Sequence, residues 1–442
     1  MSNLNGASAA QLQDPDYDVP MGPRIALGLQ HLLAMFVSNV TPSIIIAGAA
    51  GFAFGGADMV FLIQMAMLFA GVATLFQTIG MGPVGARLPV MQGTSFAFVP
   101  IMIGVVKTSG MAALMGSIIV AGLFHAALGT FIGRIRHWFP PLVTGMVITA
   151  IGLYLLPVGI RYAAGGAADF QINNPAWGDL SRWSLAIIVI VVALGFKFFT
   201  KGLTSTAAIL IGLVAGYLAG IATGAVNFGG VAKASWFAIP MPFQYGIEFN
   251  MAAILGMCLI SIVSAIETVG DISGIAKGGA NREATDKELA GGTYADGLGS
   301  AIAGVFGGLP NTSFSQNVGL ISMTGVMSRS VVTASALMLI ACGLVPKIGA
   351  VVAAMPISVL GGGVILMFGM VISAGIKMLT DVDWNRRNMM ILAISMSVGL
   401  GLQQVPKSMQ HLPDNLEMLA VSGLLPVAVL AVVLNLVLPK EA

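Results

Sequence analysis

Three carboxylates stand where water should be scarce. Of the eighteen Asp and Glu residues in the chain, only Glu267, Asp271 and Asp296 lie well inside apolar stretches. An ionised carboxylate at the centre of a bilayer costs roughly 2.5–3.5 kcal/mol on insertion scales, so such a residue is a functional candidate by default. Glu267 and Asp271, in Ser264-Ala265-Ile266-Glu267-Thr268-Val269-Gly270-Asp271, are four apart and share one helix face. No Lys or Arg shares that stretch to neutralise them. Two carboxylates this close in a low dielectric repel unless one holds a proton, which is what a proton carrier needs. The alternative is that these acids tie helices together through backbone and hydroxyl groups. Asp296, in Tyr294-Ala295-Asp296-Gly297, fits either reading, since it could lie at the entrance of a span. His31, in the first apolar stretch, reads equally as a proton relay or a hydrogen-bonded packing residue, and His125 reads as structural.

A second cluster is polar but uncharged: Ser313-Phe314-Ser315-Gln316-Asn317-Val318-Gly319, followed by Thr324-Gly325. Adjacent Gln and Asn amides present donors and acceptors in the plane of each side chain. Beside glycine and aromatic rings they suit a flat, polar-edged ligand that stacks on a ring face and is read along its edge. Some of these groups, Asn317 first, could instead satisfy the backbone of a broken helix.

The elements that position these residues follow from composition. The 442 residues are 57% hydrophobic and 9% charged, with a mean hydropathy of +0.93, where soluble chains average about 25% charged. Soluble enzyme, secreted disulfide scaffold and nucleic-acid binder are therefore excluded, and a net charge of +2 points to no polyanionic partner. The chain reads as an all-α polytopic membrane protein. Cys258 and Cys342 read as buried apolar residues, and the four histidines, including His137 and His411, have no paired metal-binding spacing. Residues 1–23 are polar, with no cleavable signal, and read as a short, mobile cytoplasmic tail.

Runs long enough for helical spans fall near 25–48, 58–82, 110–132, 140–160, 183–199, 203–223, 250–272, 330–346, 350–376, 388–404 and 418–438. Segments near 91–106, 289–306 and 311–326 are short and dense in Gly, Pro, Ser and Thr; as partial or broken spans they raise the total to about 14. With both termini cytoplasmic, fourteen of the twenty basic residues fall inside, Arg136 and Lys440 among them. Lys107, Arg161, Arg182, Lys233, Lys347 and Lys407 fall outside, an asymmetry of the expected sign.

Half a chain apart, Gly93-Thr94-Ser95-Phe96-Ala97 and Asn311-Thr312-Ser313-Phe314-Ser315 occupy the third span of each seven-span half. Seven is odd, so the halves would be inverted in the membrane. Paired short, interrupted segments at corresponding positions point to a binding site at the repeat interface.

At this point a resemblance becomes specific. Gln316-Asn317-x-Gly319-x-x-x-x-Thr324-Gly325 resembles the signature of the nucleobase/ascorbate transporter family, also called the xanthine/uracil permease family. The likeness covers nearly the whole chain and includes Gln30-His31, Gln92-Gly93-Thr94-Ser95-Phe96-Ala97-Phe98 and Glu267-Thr268-x-Gly270-Asp271. It implies two inverted seven-span repeats, with short strands in the third and tenth spans. Core segments would be 24–138 (spans 1–4) and 248–347 (spans 8–11), and gate segments 139–247 (spans 5–7) and 348–442 (spans 12–14 and the C-terminus). It also implies that Glu267 accepts hydrogen bonds from base N–H groups, Gln316 pairs with another edge and Phe98 stacks on the ring. Backbone around Ala97, Phe314 and Ser315 would complete the site. Uracil-type members typically have His where this chain has Asp271 and Glu where it has Gln316, so the resemblance is to the xanthine/uric acid branch. The chain departs from many purine members at Val318, commonly Asn, and at the small Ala97, which leaves room for the extra oxygen of urate.

The reading that follows is a proton-coupled symporter importing xanthine, uric acid or both across the bacterial inner membrane. Asp271, Glu267, Asp296 and His31 are the proton-coupling candidates. No cofactor or metal is expected beyond the driving proton, and the resemblance implies a homodimer joined through the gate domains. Alternatives are a carrier of another nucleobase such as uracil, an anion carrier of the same general fold, and a membrane-embedded lipid enzyme. The ligand-facing carboxylate argues against the anion carrier, and the lack of a visible nucleophile–base pair argues against the enzyme.

Overall fold

The computed structural model describes residues 8–135, 140–166, 169, 172 and 174–439. Residues 1–7 of the tail, Arg136, His137 and Lys440 lie outside them. The fold is mostly helical, as lipid requires of segments that must satisfy their own backbone groups. In the first half run α1 (Met21–Ala49), α2 (Ala57–Thr78), strand β1 (Gln92–Thr94), α3 (Val99–Leu128), α4 (Pro141–Ala163), α5 (Leu180–Phe199) and α6 (Ala208–Ala222). In the second run α7 (Met251–Ala280), α8 (Asp286–Val305), strand β2 (Asn311–Ser313), α9 (Ser315–Thr324), α10 (Arg329–Gly343) and α11 (Pro346–Ala353). They are followed by α12 (Ile357–Leu379), α13 (Arg386–Gln404), α14 (Asp414–Val421) and α15 (Leu424–Val437), with short helical turns between some of these elements.

Among the described residues seven helices (α1, α2, α3 with its continuation to Arg134, α4, α5, α7 and α12) are long and apolar enough to cross a membrane alone. The other expected spans are shorter, bent or more polar. α10 and α11 form one only as a pair bent by 81°, and the 418–438 run breaks at Gly423, whose φ of 74° is left-handed. The 91–106 and 110–132 runs meet within α3 at Gly110, whose non-helical backbone (φ 80°, ψ −179°) divides α3 into two helical pieces, 99–109 and 111–128.

Two expectations need correcting. The segment 289–306, read as partial or broken, is the continuous helix α8. Its glycines serve close approach: a Cβ on Gly297 would sit 2.2 Å from the Ala126 backbone nitrogen, and one on Gly122 2.5 Å from that of Ala301. Small residues let α3 and α8 pack backbone to backbone. The tail, expected to be mobile, is held down over residues 8–20. Met327 N–H donates to the Leu12 carbonyl (2.7 Å) and Arg329 N–H to that of Pro15 (3.0 Å). The Asp16 carboxylate pairs with Arg329 (2.7 Å), and Val19 is fully buried against Val326 and Val331. This strap crosses the loop that joins α9 to α10.

At the centre, β1 and β2 pair antiparallel, Gln92 opposite Ser313, Gly93 opposite Thr312 and Thr94 opposite Asn311. All six residues are buried. Extended backbone in such a place must be satisfied from every side, and the surrounding helices supply the partners. Asn39 of α1 accepts from Thr94 N–H (2.8 Å) and donates to the Ala66 carbonyl of α2 (3.0 Å). Thr74 of α2 accepts from Gln92 N–H (3.0 Å), and Ser300 of α8 accepts from Asn311 N–H (2.8 Å). Gly93 is pressed against the Phe314 ring and Met35, since a Cβ there would lie 2.6 Å from Phe314 Cζ.

Candidate functional site

α7 carries two of the three carboxylates. Asn250 caps its N-terminus by accepting from Ala253 N–H (3.1 Å), and Asn281 ends it in the left-handed region at φ 51°. Ser264 donates to Thr312 Oγ1 of β2 (3.2 Å), which fixes the helix against the ribbon. Two turns further along, Asp271 accepts two hydroxyls, Ser313 Oγ on Oδ2 and Ser315 Oγ on Oδ1, each at 2.7 Å. Ser313 ends β2 and Ser315 begins α9, so one carboxylate holds the corner where strand becomes half-helix.

Asp296 is fully buried in the middle of α8, not at a span entrance. Its Oδ1 accepts from Gln77 Nε2 of α2 (2.7 Å) and from Gln92 Nε2 of β1, and its Oδ2 accepts from Thr268 Oγ1 of α7. Three side-chain donors from three elements converge on it. Glu267, one turn before Asp271 on the same face, lies within electrostatic reach of both aspartates.

Glu267 and Gln316 differ from these ties. Both are partly exposed, and neither side chain has a hydrogen-bond partner among the described residues. Gln316 follows Ser315, so the two free polar heads flank the Asp271–Ser315 bond. Beside Gln316, the first turn of α9 starts at Phe314 without a side-chain cap, and α3 starts at Phe98 in the same way. Uncapped N-termini leave N–H groups and partial positive charge facing the ribbon. A Cβ on Gly270 or Gly319 would meet nothing within 4 Å, so open space borders this face of α7 and α9.

The remaining candidates are placed less simply. Ala97, Phe98 and Phe314 are 1%, 2% and 5% exposed, so their rings and methyl are covered in this conformation. Among the described residues His31 is bonded to no carboxylate: its Nδ1 and its carbonyl both face Asn317 Nδ2 at 3.0 Å. Asn317 is accordingly buried and tied to α1, with its Oδ1 unpartnered among the described residues. Asn39, Gln77 and Thr268 are site-supporting residues that the sequence reading does not pick out, whereas Ser313 belongs to its second polar cluster. The sequence carries a signal for each, a polar side chain inside an apolar stretch, where neighbours must satisfy it. Among the described residues no group of three or more His, Cys, Asp or Glu could hold a metal ion.

A mostly helical membrane fold with two interrupted segments meeting at a buried ribbon is the architecture of a transporter. The transmembrane domain of a cyanobacterium bicarbonate transporter, BicA, matches it with a TM-score of 0.59 at 15% identity, covering 94% of this chain and 98% of that one. The murine Solute Carrier 26 family member A9 anion transporter in the inward-facing state matches with a TM-score of 0.62 at 13% identity, over 94% of this chain and 69% of that one. At such identities the likeness shows the fold alone.

Sequence relatives say more. Residues 23–408 match the xanthine/uracil permease profile, described as a permease family. The uric acid transporter UacT of Escherichia coli is 39% identical over 94% of this chain and 86% of its own length. The uric acid permease PucJ of Bacillus subtilis is 37% identical over 93% and 91%, and a xanthine permease of Bacillus subtilis 37% over 94% of each. The chain belongs to the nucleobase/ascorbate transporter family, within its xanthine/uric acid branch. It is a multi-pass membrane nucleobase transporter, with a small-molecule substrate, and not an enzyme.

Proposed function

We propose that this chain is a proton-coupled symporter that imports xanthine and uric acid across the bacterial cytoplasmic membrane. The observation that carries the reading is the pair of partly exposed, unpartnered heads, Glu267 and Gln316, beside two uncapped half-helix N-termini. A carboxylate offers only acceptors, which suits the ring N–H groups of an oxopurine, while the Gln316 amide can donate to a carbonyl and accept from an N–H on the adjoining edge. Partial positive charge at the N-termini favours the oxygens of an anion-prone base. Stacking on Phe98 requires its ring to be uncovered when the ligand enters.

Coupling follows from the Asp271 corner. Ionised, Asp271 accepts from both Ser313 and Ser315. Protonated, it must donate from one oxygen, so one serine turns from donor to acceptor. Because Ser315 opens α9 and precedes Gln316, the proton alters the mouth of the half-helix that reads the base. A loaded, less charged core then crosses at lower desolvation cost. Asp296 and His31 would contribute to the proton step through the helices they tie. The likeness of the two Thr-Ser-Phe segments, and their pairing as strands, supports a fourteen-span inverted repeat, the asymmetry of the loop charges supports cytoplasmic termini, and the family resemblance supports gate segments that join two copies.

A competition panel tests the substrate. Uptake of labelled xanthine should be inhibited by urate and hardly by uracil or ascorbate. Efficient uracil uptake without xanthine uptake would overturn the reading.

A further inference from the structure

α9, the half-helix that carries Ser315 and Gln316, is held chiefly at its two ends. Its ten residues span roughly 15 Å. At the head, Ser315 Oγ donates to Asp271 and Asn317 Nδ2 to the His31 carbonyl. Between the ends support is one-sided: Ser315, Gly319 and Met323, spaced four apart, are exposed, and a Cβ on Gly319 would meet nothing within 4 Å. Helices of this length are marginal on their own, so tertiary contacts decide where α9 lies.

The foot is seated by the strap. α9 ends at Gly325 (φ 68°), and the chain then turns into α10. There three consecutive residues donate to strap carbonyls: Met327 N–H to Leu12, Ser328 Oγ to Tyr17 and Arg329 N–H to Pro15. Val326 packs on Val19, and Met327 is fully buried, its Sδ 2.5 Å from where a Cβ on Gly279 of α7 would sit. The strap is fixed in turn. Arg24 of α1 donates Nε to the Val19 carbonyl (2.8 Å), and Arg329 reaches the Thr78 carbonyl at the end of α2 (2.9 Å). Water could satisfy the same three donors, but it could not cover Val326 or hold the turn in one place against α7.

We infer that residues 8–20 are a positioning segment of the base-binding site, seating the foot of α9 so that Gln316, at its head, meets the ligand edge. The inference rests on the oxopurine reading above and adds a part of the chain that touches no ligand. With the strap detached, α9 pivots about its Ser315 and Asn317 bonds, and Gln316 samples several orientations. Binding must then select one of them, which weakens affinity without altering the contacts made once the base is bound.

The test is calorimetry and limited proteolysis on the purified full chain in detergent. Val19→Asp, and separately deletion of residues 1–19, should raise the Kd for xanthine roughly 2- to 30-fold, the span of distal coupling effects, at unchanged stoichiometry. Asp16→Asn, which leaves the strap in place, should keep the parent Kd. A strap that only stabilises the fold would give the opposite pattern, with lower stoichiometry and the parent Kd. Coupling is reciprocal, so saturating xanthine should slow cleavage within residues 8–20 of the parent by the same factor, under limiting protease, where cleavage follows the population of detached strap. Cleavage of Val19→Asp, whose strap is already detached, should hardly respond to xanthine. The proteolysis of the parent needs no variant, so it decides the matter even where neither releasing variant folds. If the releasing variants bind xanthine with the parent Kd, or bound xanthine leaves parent cleavage unchanged, the positioning role is wrong and the oxopurine reading stands. If the parent binds neither xanthine nor urate, that reading falls and the positioning role with it.

Discussion

Asp296→Ala removes the acceptor on which α2, β1 and α7 converge, and the consequences can be followed donor by donor. Gln77 Nε2 keeps its second bond, to the Gly292 carbonyl at 2.9 Å. The Thr268 hydroxyl falls back on the Ser264 carbonyl at 3.1 Å. Gln92 Nε2 has no second acceptor, and Gln92 Oε1 is already unpartnered among the described residues. An orphaned buried donor costs about 1–3 kcal/mol, and a lost bond to a charged acceptor about 1.5–3 kcal/mol. With two donors partly rescued, the total comes to roughly 3–5 kcal/mol. Asp296→Asn behaves differently. Its carbonyl can keep both glutamine donors while its NH2 donates to Thr268 Oγ1, whose own hydrogen goes to Ser264. That exchange costs about 1 kcal/mol or less. Thermal unfolding of the purified protein in detergent, followed by tryptophan fluorescence and by loss of monodispersity, should rank parent and Asn variant close together and the Ala variant far below. An Ala variant as stable as the parent, or an Asn variant as unstable as Ala, would refute the converging-donor argument.

Glu267→Gln should abolish uptake at normal membrane abundance, because the amide brings an NH2 group where base N–H groups need acceptors, and Gln316→Glu should shift or lose purine selectivity; both are read by initial rates of labelled xanthine uptake. Asp271→Asn should retain measurable xanthine binding by calorimetry while losing concentrative uptake, since the amide still accepts one serine but carries no titrating proton. Val19→Asp puts an unpaired carboxylate at a fully buried position and should release the strap, seen as faster proteolysis within residues 8–20. Asp16→Asn, at a side chain 70% exposed, should leave the strap in place, because an exposed ion pair contributes only about 0–1 kcal/mol.

What could be read from the sequence follows the scarcity of polar groups in lipid. Glu267, Asp271 and Asp296 stood out because each carboxylate there is expensive, and the two Thr-Ser-Phe segments stood out because their glycines and hydroxyls interrupt apolar runs. The structure pairs those two segments as β1 and β2. Less legible was what each polar group bonds to. Nothing in the sequence joins Gln77 to Asp296 across more than two hundred residues, or His31 to Asn317, because such contacts depend on how the halves interlock. Glycine density misled over 289–306: the same residue that breaks a helix also permits two helices to touch, and α8 uses it for the second purpose against α3. The tail misled for a related reason. Its exposed Asp14, Asp16 and Asp18 hide the single buried valine and the backbone pairing that anchor residues 8–20.

The most direct test of the account is uptake into proteoliposomes holding the purified chain, with an inward proton gradient and no sodium. Labelled xanthine and urate should accumulate, the accumulation should collapse on adding a protonophore, and Glu267→Gln should eliminate it. Accumulation that ignores the protonophore yet requires sodium, or that persists in Glu267→Gln, would contradict it.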